Sequence, residues 1–397
     1  MEDKIKKLKI IQVSANSHPI KQSKEIDLKM IEDWYGITAL ELKKERPSLN
    51  IECWVSEKSY KKNDEKFYNG IKFRIFPATL SVRAGMEISL AMIKALKEEQ
   101  KKLKDDEKLI FHFHEQHHWQ VYLMLKAINK KNKNIKVICQ HHGGRPPLEN
   151  LKVYKKLIIG FPIFFIMQLY EKKYFKKVDL FYSLSDKESE YLRRISPNSK
   201  IKFNTMGIAD EFFKKIDKKK ARKKLGLDEN KKYLLFIGRV STNKGICELL
   251  EAIKEFDDKV ELLIIGEEVE KEKWRSYIKK NNLNNIKFLG KIYGEEKINY
   301  LSACDSLILP SYTEGAPVVI MEAIARNLPV IASEVGGVKK MIENNREGLI
   351  IAPKSVREVK NAINEILKWK NKSISKYANK YKWNIIIKKT LEDYEKI

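Results

Sequence analysis

Two rhythms of apolar and polar positions alternate along the chain. Short runs dense in Ile, Leu, Val and Phe read as strands: "LKIIQVSAN", "NIECWVSE", "KLIFHFH", "IKVICQHH" and "VDLFYSLS" in the first half. "KYLLFIGR", "VELLIIGE", "IKFLGK", "DSLILPS" and "LPVIASE" do the same in the second. Between them lie stretches with helical spacing, such as "ICELLEAIKEF" and "EKINYLSAC". Near-continuous apolar strands alternating with helices predict parallel sheets covered on both faces. Two such sets fit 397 residues better than one very large sheet. The break is expected around 205–220, where "NTMGIADEFFKKIDKKKARKKLGL" has few strand formers and a lysine run. That gives domains at 1–207 and 208–379. Residues 380–397 form a C-terminal helix expected to pack back on the first domain.

Composition narrows the partners. Net charge is +26, and 43% of residues are hydrophobic, enough for sizeable cores. A basic chain suits nucleic acid, anionic membranes or polyanionic ligands. Four scattered cysteines without a CxxC pair argue for a reducing compartment. With no visible signal peptide, the expected location is the cytoplasm, with peripheral contact to a membrane. The run "LIIGFPIFFIMQLY" (157–170) is shorter than the ~20 residues of a membrane span and contains Gly160 and Pro162. Lysines flank it throughout 152–177. It reads as a core or interdomain helix, or as a surface helix meeting an anionic membrane.

Candidate chemistry concentrates in the second half. "YLLFIGRVSTNKGICELLEAI" (233–253) is a strand, a glycine turn and a helix, with Arg239 after the strand and Lys244 at the helix start. Free N–H groups at a helix N-terminus with two cations beside them make a diphosphate site. The order is neither a Walker A loop nor GxGxxG. Further on, "PSYTEGAPVVIMEAIARN" carries Glu314 in the turn after a strand and Glu322 in the second turn of the next helix. Pro317 suits that helix's first position. Glu314 thus lies beyond the carboxyl end of a parallel strand, where open α/β sheets bind ligands. A carboxylate accepts from two neighbouring hydroxyls, as in a sugar diol. The competing reading is salt bridges to lysines.

"GRVSTNKG", "PSYTEGAPVVIMEAIARNLPVIASEVGG" and "EGLIIAP" together resemble the C-terminal half of the retaining group 1 glycosyltransferases, which carry an E-x7-E motif. The resemblance is strong over 230–355 and weaker over the first 210 residues. It implies the GT-B fold: α/β, two Rossmann-like domains facing across a cleft. It implies that Arg239 and Lys244 bind the donor diphosphate, that Glu322 binds ribose and that Glu314 contacts the donor sugar. Gly315, Ala316, Pro317 and Val318 would complete the donor site, and Ile292 would touch the base through its backbone. No cofactor or metal is expected, only a nucleoside diphosphate sugar as co-substrate. The acceptor would be lipid-linked, polysaccharide or another glycan. Two departures stand out. Asn327 replaces a common glycine, and "VSANSHPIKQSKEI" replaces the glycine-rich loop after the first strand, where His18 and Lys21 are candidate substitutes.

Six of the seven histidines fall in "FHFHEQHHW" (111–119) and "QHHGG" (140–144). They follow strands and lack an acidic ligand at helical spacing, so a metal site is not expected. The resemblance puts His142 near the donor sugar as a catalytic candidate, with His141 its near rival. His114 would line the cleft on the acceptor side. A nucleotide-sugar epimerase of similar fold is the alternative enzyme. A nucleic-acid binder is the remote one, since the charge is spread over both halves and no recognised motif is present.

Overall fold

The computed structural model describes residues 7–14, 27–81, 87–143, 160–343, 345–369 and 373–397. His18 and Lys21 lie outside the described residues, as do Lys152, Lys155 and Lys156. The chain divides into two compact units, Met1–Met206 with Ile386–Ile397, and Gly207–Ile385.

Among the described residues, ten strands belong to the first unit: β1 Lys7–Ser14, β2 Asn50–Glu57, β3 Asp64–Tyr68, β4 Ile71–Pro77, β5 Leu80–Ser81, β6 Glu87–Ile88, β7 Glu107–His114, β8 Ile135–Gln140, β9 Leu180–Ser183 and β10 Lys200–Phe203. Eight form one sheet in the order β10-β9-β8-β7-β1-β2-β4-β3. All neighbours are parallel except the β3/β4 hairpin. Alternation along β7 explains its double face. Phe111 and Phe113 enter one apolar core, while His112 and His114 stack on each other at 4.6 Å on the opposite face. The C-terminal stretch covers that face: Tyr394 reaches Gln12 and His112, and Tyr182 donates to Asp393 at 3.0 Å.

The run 157–170 contributes to the helix Gly160–Tyr174. Phe164, Met167, Glu171 and Tyr174 are buried, at the spacing of one helical face. Phe165, Ile166 and Leu169 are exposed. No helix among the described residues is long and apolar enough to cross a membrane.

The second unit has six strands: β11 Lys232–Ile237, β12 Val260–Ile265, β13 Ile286–Gly290, β14 Ser306–Leu309, β15 Val330–Ser333 and β16 Gly348–Ile351. They run parallel in the order β13-β12-β11-β14-β15-β16. This is the 3-2-1-4-5-6 order of a dinucleotide-binding sheet, whose direction of winding reverses between its first and fourth strands. Here that point lies between β11 and β14. β12, β14 and β15 are wholly buried and β11 and β16 mostly so, as helices on both faces require, while the edge strand β13 is only half-buried. Asn327 adopts φ +62°, which asparagine tolerates. Its side-chain oxygen also accepts from the N–H groups of Ile374 and Ser375, at 2.7 and 3.2 Å. A glycine at this position has no side chain to make those bonds.

Candidate active site

The loops after β11 and β14 meet at the reversal point. Gly245 adopts φ +71°, and a Cβ there would lie 2.0 Å from the Pro310 carbonyl oxygen. Gly336 has φ +55°, and a Cβ would lie 1.9 Å from the Glu314 carbonyl oxygen. Only glycine permits both approaches. They draw the loops close enough for Tyr312 to donate its N–H to Asn243 at 2.9 Å. Gly337 donates likewise to Gly315 at 2.6 Å.

Within this frame Lys244 Nζ lies 2.7 Å from Glu314 Oε1, which also accepts from Ser311 Oγ at 2.6 Å. Arg239, just after β11, is exposed and forms no ion pair with any described residue. Two helices begin here, Ile246–Ile253 and Val318–Ala325. Their first N–H groups have no partner within the helix. Pro317 is the residue before the second helix, with ψ 112°, rather than its first member. Its φ still suits the entry, but extended ψ ends the loop at Pro317. Val318, Ala316 and Ile292 are half-buried against the second unit's core.

Glu322 lies in the second turn of its helix and is buried. Lys297, on the helix Gly294–Ala303, places Nζ 2.5 Å from Glu322 Oε2. Burial pushes the Glu322 carboxyl up from its ordinary range, and Lys297 pulls it back. Both glutamates of the motif are thus ion-paired to lysines. One of those lysines, Lys244, was itself a donor-site candidate. Lys297 was not, and only the tertiary fold brings its helix beside Glu322.

The first unit's edge is lined with imidazoles. His114 Nε2 is 2.6 Å from Gln12 Oε1, an acceptor, so this nitrogen carries the proton. His114 Nδ1 then accepts from His142 Nε2 at 2.7 Å. Gln12 Nε2 donates to Tyr394 Oη at 3.0 Å, and Tyr394 donates to His112 Nδ1 at 2.7 Å. The series leaves His142 Nδ1 unprotonated. His142 stacks between Trp34, at 4.8 Å, and His114, at 5.0 Å. Burial pushes the His114 and His142 imidazoles well below their ordinary range, and His112 down to about 3. All three are therefore neutral at pH 7. His141 turns away and lies 2.8 Å from Glu188. Gln12, Trp34 and Tyr394 escaped sequence reading because nothing local marks them.

Residues 217–383 match the family model described as glycosyl transferases group 1. A putative teichuronic acid biosynthesis glycosyltransferase of Bacillus subtilis is 34% identical over 146 residues, 37% of this chain and 36% of that protein. An N,N'-diacetylbacillosaminyl-diphospho-undecaprenol alpha-1,3-N-acetylgalactosaminyltransferase of Campylobacter jejuni is 27% identical over 246 residues, 59% of this chain and 64% of that protein. These matches span 36% to 64% of the curated relatives' lengths. The solved structure of a sucrose-phosphate synthase from Thermosynechococcus elongatus superposes with a TM-score of 0.71 at 19% identity, covering 98% of each chain. The fold is of the GT-B type. Over residues 217–383 the chain is similar to the group 1 glycosyl transferases.

Proposed function

We propose that the protein is a retaining glycosyltransferase that moves a sugar from a nucleoside diphosphate donor to a lipid-linked, polysaccharide or other glycan acceptor. The observation that carries this is the Lys244–Glu314 pair at the strand-order reversal of the second unit, flanked by two helix N-termini and the unpaired Arg239. Positive charge and oriented N–H groups converge where a diphosphate would bind. In this reading Arg239 and Lys244 hold the diphosphate and stabilise it as it departs. Glu314, released from Lys244 as the phosphates take that lysine, faces the sugar. Glu322 accepts from the ribose hydroxyls, with Lys297 beside it. Gly315, Ala316, Pro317 and Val318 line the phosphate side, and Ile292 meets the base. His142, with Nδ1 unprotonated, accepts from a sugar hydroxyl. The relatives' names are those of transferases and give epimerisation no support.

No metal is needed for the diphosphate step, because Arg239, Lys244 and the helix ends already supply positive charge. Adding Mg²⁺ should not tighten binding of the nucleoside diphosphate selected by thermal shift, measured by calorimetry; a dependence on Mg²⁺ would contradict this. The identity of the donor is tested by thermal shift with UDP, GDP, ADP and their sugars. At 100 times its dissociation constant the correct ligand stabilises by about 2.7 kcal/mol. No shift with any of them would overturn the reading.

The exposed Phe165, Ile166 and Leu169 precede Lys172, Lys173, Lys176 and Lys177. This arrangement suits contact with an anionic membrane carrying the acceptor, and a cytoplasmic site on its inner face. Sedimentation with anionic vesicles should exceed that with neutral ones and fall as salt rises. Equal sedimentation would argue against it.

A further inference from the structure

The first unit gathers a second set of chemistry-bearing side chains that the transfer reading does not use. They come from the carboxyl ends of three neighbouring parallel strands, β7, β8 and β9. Glu115, with φ +67°, turns the chain after β7 and sets up Gln116 and His117. His141 follows β8. Glu188 lies in the first turn of the helix Asp186–Ile195 after β9. One ligand atom from each of His117, His141 and Glu188 lies within 4.8 Å of the other two.

We propose that His117, His141, Glu188 and Gln116 bind one divalent d-block cation of the zinc type. Three features support it. First, the spacing fits. His141 Nδ1 is 2.8 Å from Glu188 Oε1, and the Gln116 amide nitrogen is 2.7 Å from the same oxygen and 3.4 Å from His117 Nε2. Ligands of a four-coordinate zinc with bonds near 2.0–2.1 Å stand about 3.3 Å apart. Second, two of the ligands, His117 and Glu188, are held from behind. His117 Nδ1 lies 2.5 Å from Glu171 Oε1, which fixes Nε2 as the lone-pair nitrogen facing the cluster. Glu171 has no exposed surface and also accepts from Tyr122 and Tyr191. The second oxygen of Glu188 accepts from the Leu184 N–H at 2.8 Å. Third, Gln116 has no exposed surface and its Oε1 has no hydrogen-bond partner. Turning the amide by half a revolution exchanges O for N. The oxygen then sits among Glu188 and His117, a position that repels an acceptor unless a cation lies between. The ligand set, two imidazoles with oxygen donors, suits zinc better than magnesium or calcium. The bound ion would tie together the turns after β7 and β8, the second of which carries His142.

The test uses the full chain, stripped with a chelator and titrated with Zn²⁺ and then Co²⁺ alone. The expected result is one ion per chain. Co²⁺ should give visible absorption typical of four nitrogen and oxygen ligands, without a thiolate band, which excludes the exposed Cys247. Glu188→Gln should abolish tight uptake. Glu171→Gln, which touches only His117 and the two tyrosines, should weaken it by about 10–100-fold. Substoichiometric uptake by the wild-type chain would overturn the proposal and leave a network of protonated histidines and carboxylates. A thiolate band, or uptake unchanged in a folded Glu188→Gln variant, would overturn it too. Should that variant fail to fold, the wild-type stoichiometry and the Co²⁺ spectrum decide alone. Every readout is metal binding, so the outcome is independent of the transferase reading.

Discussion

At the carboxyl edge of the first sheet His112 and His114 are buried and His142 half-buried; the three are stacked and neutral, and the proton positions are dictated by Gln12 and Tyr394. At the carboxyl edge of the second, Lys244–Glu314 and Lys297–Glu322 are ion pairs, with Arg239 exposed beside them. The two sheets wind alike, yet one edge presents lysine–glutamate pairs and the other a stack of neutral imidazoles. A diphosphate needs compensating charge, which the second edge supplies. Sugar hydroxyls need oriented donors and acceptors without competing charge, which neutral imidazoles supply.

The sharpest way to break this contrast is at the charged edge. Glu314→Gln keeps volume and most hydrogen bonds but removes the charge that, in the proposed reading, lies next to the reacting sugar. It should lower kcat by about 10²-fold or more, while Glu322→Gln should mainly raise KM. Steady-state kinetics with the true donor would show the assignment reversed if Glu322→Gln lost only kcat and Glu314→Gln only affinity.

A smaller effect, on stability, separates the two ion pairs. Lys297→Ala leaves the buried Glu322 without its cation and should cost about 2–4 kcal/mol in urea unfolding at pH 7. Adding Glu322→Gln should restore most of that loss. A double variant no more stable than Lys297→Ala would mean that the lysine acts through packing.

The neutral edge shows itself through pH. The folded chain keeps His112, His114 and His142 unprotonated, whereas the unfolded chain binds protons near the ordinary 6.5. Stability from this edge is therefore complete above about pH 6.5 and falls as pH drops towards about 3, the value for His112. Replacing His112 by Asn should reduce the slope of stability against pH in that window by up to about 1.4 kcal/mol per unit. An unchanged slope would show that His112 is not neutral in the folded chain.

The charged edge was legible in the sequence because its parts lie on short segments, strand then turn then helix. "GRVSTNKG" and "PSYTEGAP" each place their cation or carboxylate within a few residues of a strand end. Strand positions were read from apolar runs with similar success. The β3/β4 hairpin was missed although "YNGIK" marks it: Asn69 and Gly70 both take positive φ in a two-residue turn. Its exposed β3 simply lacks an apolar run. The neutral edge was not legible beyond its histidines. Gln12 and His114 lie on strands, Trp34 and Tyr394 on helices and His142 in a loop, and only the tertiary fold brings these five segments together. The same holds for acidic partners of the histidines. Glu171 and Glu188 stand far from His117 and His141 in sequence, so a search at helical spacing cannot find them.

The central claim is that the second unit's charged edge binds a nucleoside diphosphate. Arg239 tests it most directly, since its exposed side chain supports no described ion pair and its removal should leave the fold intact. Calorimetric titration of the nucleoside diphosphate selected by thermal shift should show Arg239→Ala weakening binding by roughly 1.5–3 kcal/mol, about 10–150-fold. Lys244→Ala should fall in the same range. Affinity equal to wild type in both variants would place the phosphates elsewhere and contradict the account.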